Sequence, residues 1–241
     1  MKHLVLDEAD KLFELGLLEQ TDEILAACTA ENVQKSLFSA TIPAAVEQLA
    51  RSVMTDPLRV IIGLKYSPSF LKKLTSRDSA TDTVTQELVY AGTENGKLFA
   101  LRQLITSGTF SPPCLVFVQS IDRAKALYTE LSTLPYKVDV MHSEMPKKQR
   151  DLVITKFRDG ETWILICTDV LSRGIDVLGI KLVVNYDFPM GTMSYIHRIG
   201  RTGRAGRTGK AITFFTNDDK EHLNMYVAIF FTVRLIVELL M

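Results

Sequence analysis

Cysteine is scarce. Cys28, Cys114 and Cys167 are the only three in 241 residues; they lie far apart and form no CxxC pair. That excludes a disulfide framework and a zinc site, and it fits a reducing intracellular compartment. Cys114 and Cys167 fall within apolar runs and read as core residues. Net charge is absent too, with 28 basic against 28 acidic side chains. A generally basic nucleic-acid coat is thereby excluded, although local basic clusters are not. No secretory leader is expected, because Met1-Lys2-His3-Leu4 runs straight into a charged cluster. The longest apolar stretch, MYVAIFFTVRLIVELLM over 225–241, is shorter than the roughly 20 residues of a membrane helix and carries Arg234 and Glu238 at helical i,i+4 spacing. It reads as a packing helix or as the product of an altered reading of the gene, and no stable membrane association is expected. No GxxxxGKS or GxxxxGKT phosphate loop is present. The nearest string, Gly92-Thr93-Glu94-Asn95-Gly96-Lys97-Leu98, is one residue short, ends in Leu and reads as the start of an ordinary helix.

What is present can build a core: 46% of residues are apolar and 23% charged. Short apolar runs rich in Val, Ile, Leu and Phe predict strands at His3–Leu6, Ser36–Phe38, Val60–Ile62, Leu88–Tyr90, Leu115–Val118, Val138–Met141, Trp163–Cys167, Leu182–Asn185 and Ala211–Phe215. Helical patterns alternate with them. Ser120 is a candidate N-cap for a helix burying Ile121, Ala124, Tyr128 and Leu131. A second helix runs from Pro146 to Asp159, with Leu152, Val153 and Phe157 inward and Gly160 just past its end. Strand–helix alternation with short loops implies α/β architecture, a parallel sheet with flanking helices. The polar, Ser- and Thr-rich stretch 63–83 reads as a linker. Residues 1–62 before it offer about three strands, too few for an independent doubly wound domain and with a raw sheet edge. Residues 84–222 are long enough to stand alone, and 223–241 form the apolar tail.

Three clusters carry chemistry. Asp7-Glu8-Ala9-Asp10 follows the first apolar strand, the position at which open α/β sheets place ligands. Asp7 there can hold Mg2+ through water, Glu8 can orient and deprotonate an attacking water, and Asp10 can bond onward. Alone, such a cluster is more often a helix N-terminus. Ser39-Ala40-Thr41 closes the next strand, and its hydroxyls could reach those carboxylates; alone, it is a cap before the helix begun by Pro43. Far downstream, HRIGRTGR (197–204) and Ala205-Gly206-Arg207 interleave four arginines with glycines. Guanidinium groups match phosphate oxygens bidentately, and glycine admits a ligand close to the backbone. The alternative is a solvated basic loop.

In that order, DEAD, SAT and HRIGRTGR resemble motifs II, III and VI of the DEAD-box RNA helicases, a superfamily 2 family. LVFVQS (115–120) resembles motif IV, CTDVLSRGID (167–176) motif V, and VVNYDFP (183–189) the strand after it. Arg150 in KKQR matches the arginine of motif IVa, with Lys147 where the family usually has Gln. The likeness runs from His3 to about Glu221, the linker excepted. It implies RecA-like folds, with a complete second helicase domain and the C-terminal part of the first. It also implies ATP and Mg2+ as cofactors and an RNA-stimulated ATPase that opens duplexes locally. By the same resemblance Asp7 and Glu8 are catalytic, and Arg201 and Arg204 are the arginine fingers on the γ-phosphate. Asp10, Ser39, Thr41 and His197 couple the motifs. Asp176 touches the ribose and Gly174 lets the backbone pass nearby. Ser120, Arg150, Thr168, Asp169 and Arg173 hold the RNA backbone without reading bases.

LFE after DEAD, LVFVQSIDRAKALYTEL and YDFP are most similar to the subgroup acting in small-ribosomal-subunit assembly. This implies pre-rRNA processing, ribosome-assembly partners and a nuclear, nucleolar location. The family's phosphate loop and adenine-reading signature would lie before residue 1, so this chain is expected to be catalytically incomplete. An alternative is a non-catalytic RNA- or partner-binding module made of helicase domain 2.

Overall fold

The computed structural model describes residues 2–14, 16–28, 30, 33–39, 42, 44–60, 83–108, 110–169, 177, 179–204, 206–220, 223 and 236–239, with the backbone alone at 13, 14, 192, 193 and 236–239. The chain divides into two units, Met1–Ser79 and Ala80–Met241.

In the first unit, β1 (His3–Leu6) pairs in parallel with β2 (Gln34–Leu37), and His3 lies beside Gln34. Between them run α1 (Ala9–Glu14) and α2 (Leu18–Ala27); α3 (Ala44–Val53) follows β2. Leu4, Ala9, Val46 and Leu49 are buried, whereas Val5 and Phe38 are 56% and 57% exposed. The second strand ends one residue earlier than expected, leaving Phe38 outside it. The strand expected at Val60–Ile62 is not confirmed: Val60 lies outside any strand and is 71% exposed, and residues 61 and 62 fall outside the described set.

The second unit has one parallel sheet of order β5-β6-β4-β7-β8-β3-β9. Its strands are β3 (Val84–Gly92), β4 (Cys114–Val118), β5 (Val138–Met141), β6 (Ile164–Thr168), β7 (Leu182–Asn185), β8 (Gly209–Thr216) and β9 (Ile236–Leu239). Because side chains alternate along a strand, the central strands feed two cores. Leu115, Phe117, Leu165, Cys167 and Val183 point to one face, where α6 (Lys147–Arg158) and α7 (Thr192–Ile199) supply Val153, Phe157, Tyr195, Ile196 and Ile199. Cys114, Val116, Val118, Ile164, Ile166 and Val184 point to the other, covered by α4 (Glu94–Thr106) and α5 (Ile121–Ser132) through Ala100, Leu101, Ala124, Leu127 and Leu131. Fully covered strands explain why these runs read as unbroken apolar stretches.

Ser120 caps α5, its Oγ accepting from the Arg123 N–H at 3.2 Å. Leu127 rather than Tyr128 takes the buried position on that helix. In α6, Leu152 is 55% exposed, and Val153 and Phe157 carry the packing. The sixth strand starts at Ile164; Trp163 stays on the surface with the Lys137 ammonium 5.6 Å from its ring centre.

The tail departs most from expectation. Ile236–Leu239 is not helical but pairs in parallel with Glu87–Tyr90, covering what would be the open edge of β3. Valine, isoleucine and leucine at a sheet edge find a ladder waiting, and short apolar runs fit either period. Among the described residues, no helix is long and apolar enough to cross a membrane.

Cys114 and Cys167 are fully buried, and burial pushes the Cys114 thiol far up and the Cys167 thiol up to about 12. Native protein at pH 8 should therefore show Cys114 and Cys167 closed to a maleimide reagent, with both appearing only on unfolding. Fast reaction of all three would contradict the buried strands.

Candidate functional site

Asp7 leaves the end of β1 exposed to solvent, and Glu8 follows with φ of 48°, in the left-handed region that costs a non-glycine residue about 1–2 kcal/mol. The turn is held locally. Glu8 N–H donates to Asp7 Oδ1 at 2.9 Å, and Lys11 N–H to the Glu8 carbonyl at 2.8 Å. It is also held across the sheet, as Ala9 N–H donates to the Phe38 carbonyl at 3.1 Å and Asp10 N–H to Ser39 Oγ at 3.3 Å. Among the described residues, the acidic turn and the serine after β2 thus meet through the backbone N–H of Asp10, not through the hydroxyl-to-carboxylate contact that the sequence suggests. Thr41 lies outside the described residues. Among the described residues, no group of three metal-ligating side chains comes together. An exposed lone carboxylate suits Mg2+, which keeps several waters and takes one or two protein carboxylates plus phosphate oxygens.

In the second unit the candidate residues separate onto opposite edges of the sheet. Ser120 lies just past β4, Thr168 ends β6 with Asp169 next, and Arg150 lies in the first turn of α6, the helix that follows β5. These strands are neighbours, so at ~4.8 Å per strand their carboxyl ends lie within about 10 Å and form one strip, with the first turn of α6 following the outermost of them. Arg173, Gly174 and Asp176 lie outside the described residues.

The strip is organised by Arg198, which is 1% exposed. Its Nε and Nη2 donate to the two oxygens of Asp169 at 2.6 and 2.8 Å, and its Nη1 to the Asp187 carbonyl at 2.9 Å. Ser194 Oγ, one turn earlier on α7, donates to Asp169 Oδ2 at 2.9 Å. The guanidinium carbon also sits 5.3 Å from the Phe117 ring centre. Helical side chains tilt toward the helix N-terminus, which lets Arg198 reach back to the carboxyl edge while α7 runs down to the amino edge.

There the helix ends with Arg201 Nε donating to the His197 carbonyl at 3.2 Å and Arg204 Nε to the Gly200 carbonyl at 2.6 Å. Thr202 Oγ1 donates to the Ile180 carbonyl at 2.6 Å. Gly203, at φ of 69°, lies so close to β3 that a Cβ would sit 2.6 Å from Val84 Cγ2. Both arginines line a cleft of about 380 Å3 together with Gly179, Ile180, Lys181, Arg207 and Thr208. Four cations and backbone around one cleft suit a phosphorylated ligand. The arginines of 197–207 therefore do not act as one basic loop: Arg198 is buried structure, and Arg201, Arg204 and Arg207 face the cleft.

A second ionic cluster was not anticipated. Asp187, buried after β7, accepts from Gln119 N–H at 2.9 Å, from Arg123 Nε at 2.6 Å and from Arg123 Nη2, and lies 3.6 Å from the buried Lys97 ammonium. Glu94 pairs with Lys97 at 2.7 Å and Arg123 at 2.5 Å. Burial works to raise the Glu94 carboxyl, but these two cations outweigh it and hold it below the usual carboxylate range. Its share of stability is complete above the ordinary Glu value and is lost as pH falls through the lowered one. An acid within two residues of the end of an apolar strand was the available signal for Asp187, close to the one that marks Asp7.

A parallel sheet covered on both faces, a carboxyl-edge strip and an arginine-lined cleft together define a helicase-type α/β core. Comparison with known proteins agrees. Residues 1–49 match the DEAD/DEAH box helicase family model and 96–206 the helicase conserved C-terminal domain. The chain is 54% identical over 216 residues to the ATP-dependent RNA helicase ROK1 of Lodderomyces elongisporus, covering 90% of this chain and 37% of that protein. It is 55% identical over 225 residues to ROK1 of Yarrowia lipolytica, covering 93% and 39%. Among solved structures, Saccharomyces cerevisiae Dbp5 bound to RNA and ADP BeF3 superposes with a TM-score of 0.82 at 29% identity, covering 99% of this chain and 60% of that one. The chain belongs to the DEAD-box RNA helicase family, with RecA-like α/β architecture, and spans less than two-fifths of the length of these ROK1 relatives.

Lysine cannot reproduce the fork with which Arg198 holds Asp169. Arg198→Lys should lower the unfolding free energy by about 2 kcal/mol, less than for a fully buried pair because Asp169 is partly solvated. Urea titration checks this; an unchanged midpoint would contradict the bracing role.

Proposed function

We propose that the protein is an ATP-dependent RNA helicase whose second unit grips the RNA backbone at the carboxyl edge and meets nucleotide phosphates at the amino-edge cleft. The observation that carries this reading is the bracing of α7, with Arg198 locked to the carboxyl-edge strip and Arg201 and Arg204 in the cleft at its other end. Ser120, Arg150, Thr168, Asp169 and Arg173 hold phosphates and sugars, which makes binding indifferent to base sequence. Arg201 and Arg204 stabilise charge on the transferring phosphoryl group, a contribution worth about 10³–10⁵ in rate in such enzymes. Asp176 touches the nucleotide ribose, and Gly174 lets the backbone pass close to it. Asp7 holds Mg2+ through water, and when bound the ion neutralises phosphate charge. Glu8 orients and deprotonates the attacking water, while Asp10, Ser39, Thr41 and His197 relay between motifs. The wording of LFE after DEAD, LVFVQSIDRAKALYTEL and YDFP supports a role in pre-rRNA processing, with ribosome-assembly proteins as partners and the nucleolus as location.

These 241 residues contain no phosphate-loop sequence to cradle the triphosphate, so by itself the polypeptide should turn over no ATP. A second reading, an RNA-binding module made of the second unit alone, is favoured by the fact that the strip and the cleft both lie within that unit. ATP hydrolysis with and without single-stranded RNA, beside an Arg201→Ala control, tests whether these residues are catalytically incomplete. No turnover is expected from the chain. RNA-stimulated turnover abolished in the control would show a phosphate seat elsewhere in these residues and would overturn the incompleteness.

A further inference from the structure

The ionic cluster around Asp187 is larger than packing needs. Buried ion pairs add little stability over apolar contacts of the same shape, because desolvation offsets the attraction. What they can fix is geometry. Asp187 is placed to do so, because its two ends serve different strands. Its carboxylate accepts from Gln119 N–H and from Arg123, holding the turn after β4. The same Arg123 donates its backbone N–H to Ser120 Oγ at 3.2 Å. The backbone carbonyl of Asp187 accepts from Arg198 Nη1, and that guanidinium holds both oxygens of Asp169 after β6. One continuous chain of bonds therefore runs Ser120, Arg123, Asp187, Arg198, Asp169. Gln119 Nε2 adds a parallel tie to the Phe188 carbonyl at 3.3 Å. Lys97 and Glu94 brace the chain from α4.

We propose that Asp187 is a positioning residue that registers the Ser120 turn against Asp169, so that two RNA contacts on separate strands act as one. This rests on the reading of Ser120 and Asp169 as RNA contacts. Asp187 touches no RNA itself. It sets the spacing between the two contacts, and the repeat of a sugar-phosphate backbone demands a fixed spacing. Asparagine in its place keeps the volume and one acceptor oxygen but loses the charge and the second acceptor, so the fork to Arg123 opens while the backbone carbonyl bond to Arg198 is still possible.

The test is a double-mutant cycle on the 241-residue chain, read by anisotropy of fluorescein-labelled decauridylate RNA. Ser120→Ala and Asp169→Asn are combined in the native and in the Asp187→Asn background. In the native background the double variant should fall short of the product of the single losses by about fivefold or more, as coupled sites do. In the Asp187→Asn background the losses should multiply. Equal coupling in both backgrounds would overturn the proposal. Arg123→Gln breaks the same link and must uncouple the pair in the same way, which keeps the test decisive if Asp187→Asn does not fold. Absence of decauridylate binding by the native chain would sink the RNA reading instead. Registration is then read without RNA from the Arg198 Nε–H resonance, which must shift in Arg123→Gln, a change with no direct contact to Arg198. An unmoved resonance would refute Asp187 as the link.

Discussion

The Arg198 guanidinium is the fixed point around which the second unit is arranged. It is buried at the end of α7 with three of its nitrogens engaged: two on the Asp169 carboxylate and one on the carbonyl of Asp187. Placing a charge there is costly, and only a planar fork with matched acceptors offsets that cost. Once it is offset, the ends of β6 and β7 are bound to one helix. The descent of α7 from that anchor sets where Arg201 and Arg204 emerge. Gly203 and Gly209 then close the turn back into β8; a side chain at Gly209 would collide with Thr202 Oγ1 at 2.0 Å. A single buried cation thus fixes the geometry of both edges of the sheet.

Much of this was legible in the residues. Strands covered on both faces must be apolar throughout, so β4, β6 and β7 announced themselves, and the cap at Ser120 followed from its place before an apolar-periodic segment. The order of strands was not legible, since a right-handed parallel crossover can skip neighbours and the register lies in contacts distant in sequence. Arg198 was hidden for a different reason. Within HRIGRTGR it looks like any other arginine, and what separates it from Arg201, which is also buried, is its partners, the Asp169 carboxylate and the Asp187 carbonyl. Asp187 was overlooked because nothing in its local sequence says that Arg123 and Lys97, far upstream, converge on it. The tail misled because its run of Val, Ile, Leu and Phe satisfies helix and strand alike until a sheet edge is there to pair with.

The first unit follows a similar logic on a smaller scale. Two parallel strands bring the acidic turn against the serine after β2, and the backbone at Glu8 is held in a conformation that an L-residue avoids. Strain of that kind persists where the surroundings over-determine it, which is common at reacting groups. Val5 and Phe38 remain exposed on this small sheet.

The most direct test of the central claim, that the second unit grips RNA at the carboxyl edge through the strip braced by Arg198, is to map the RNA-contacting residues. Amide chemical shifts of the 241-residue chain should be followed during titration with single-stranded RNA. Perturbations are expected at Ser120, Arg150, Thr168 and Asp169, with Lys181, Arg204 and Arg207 little changed. Perturbations centred instead on the Lys181–Arg207 cleft, with the strip silent, would contradict the assignment of the two edges.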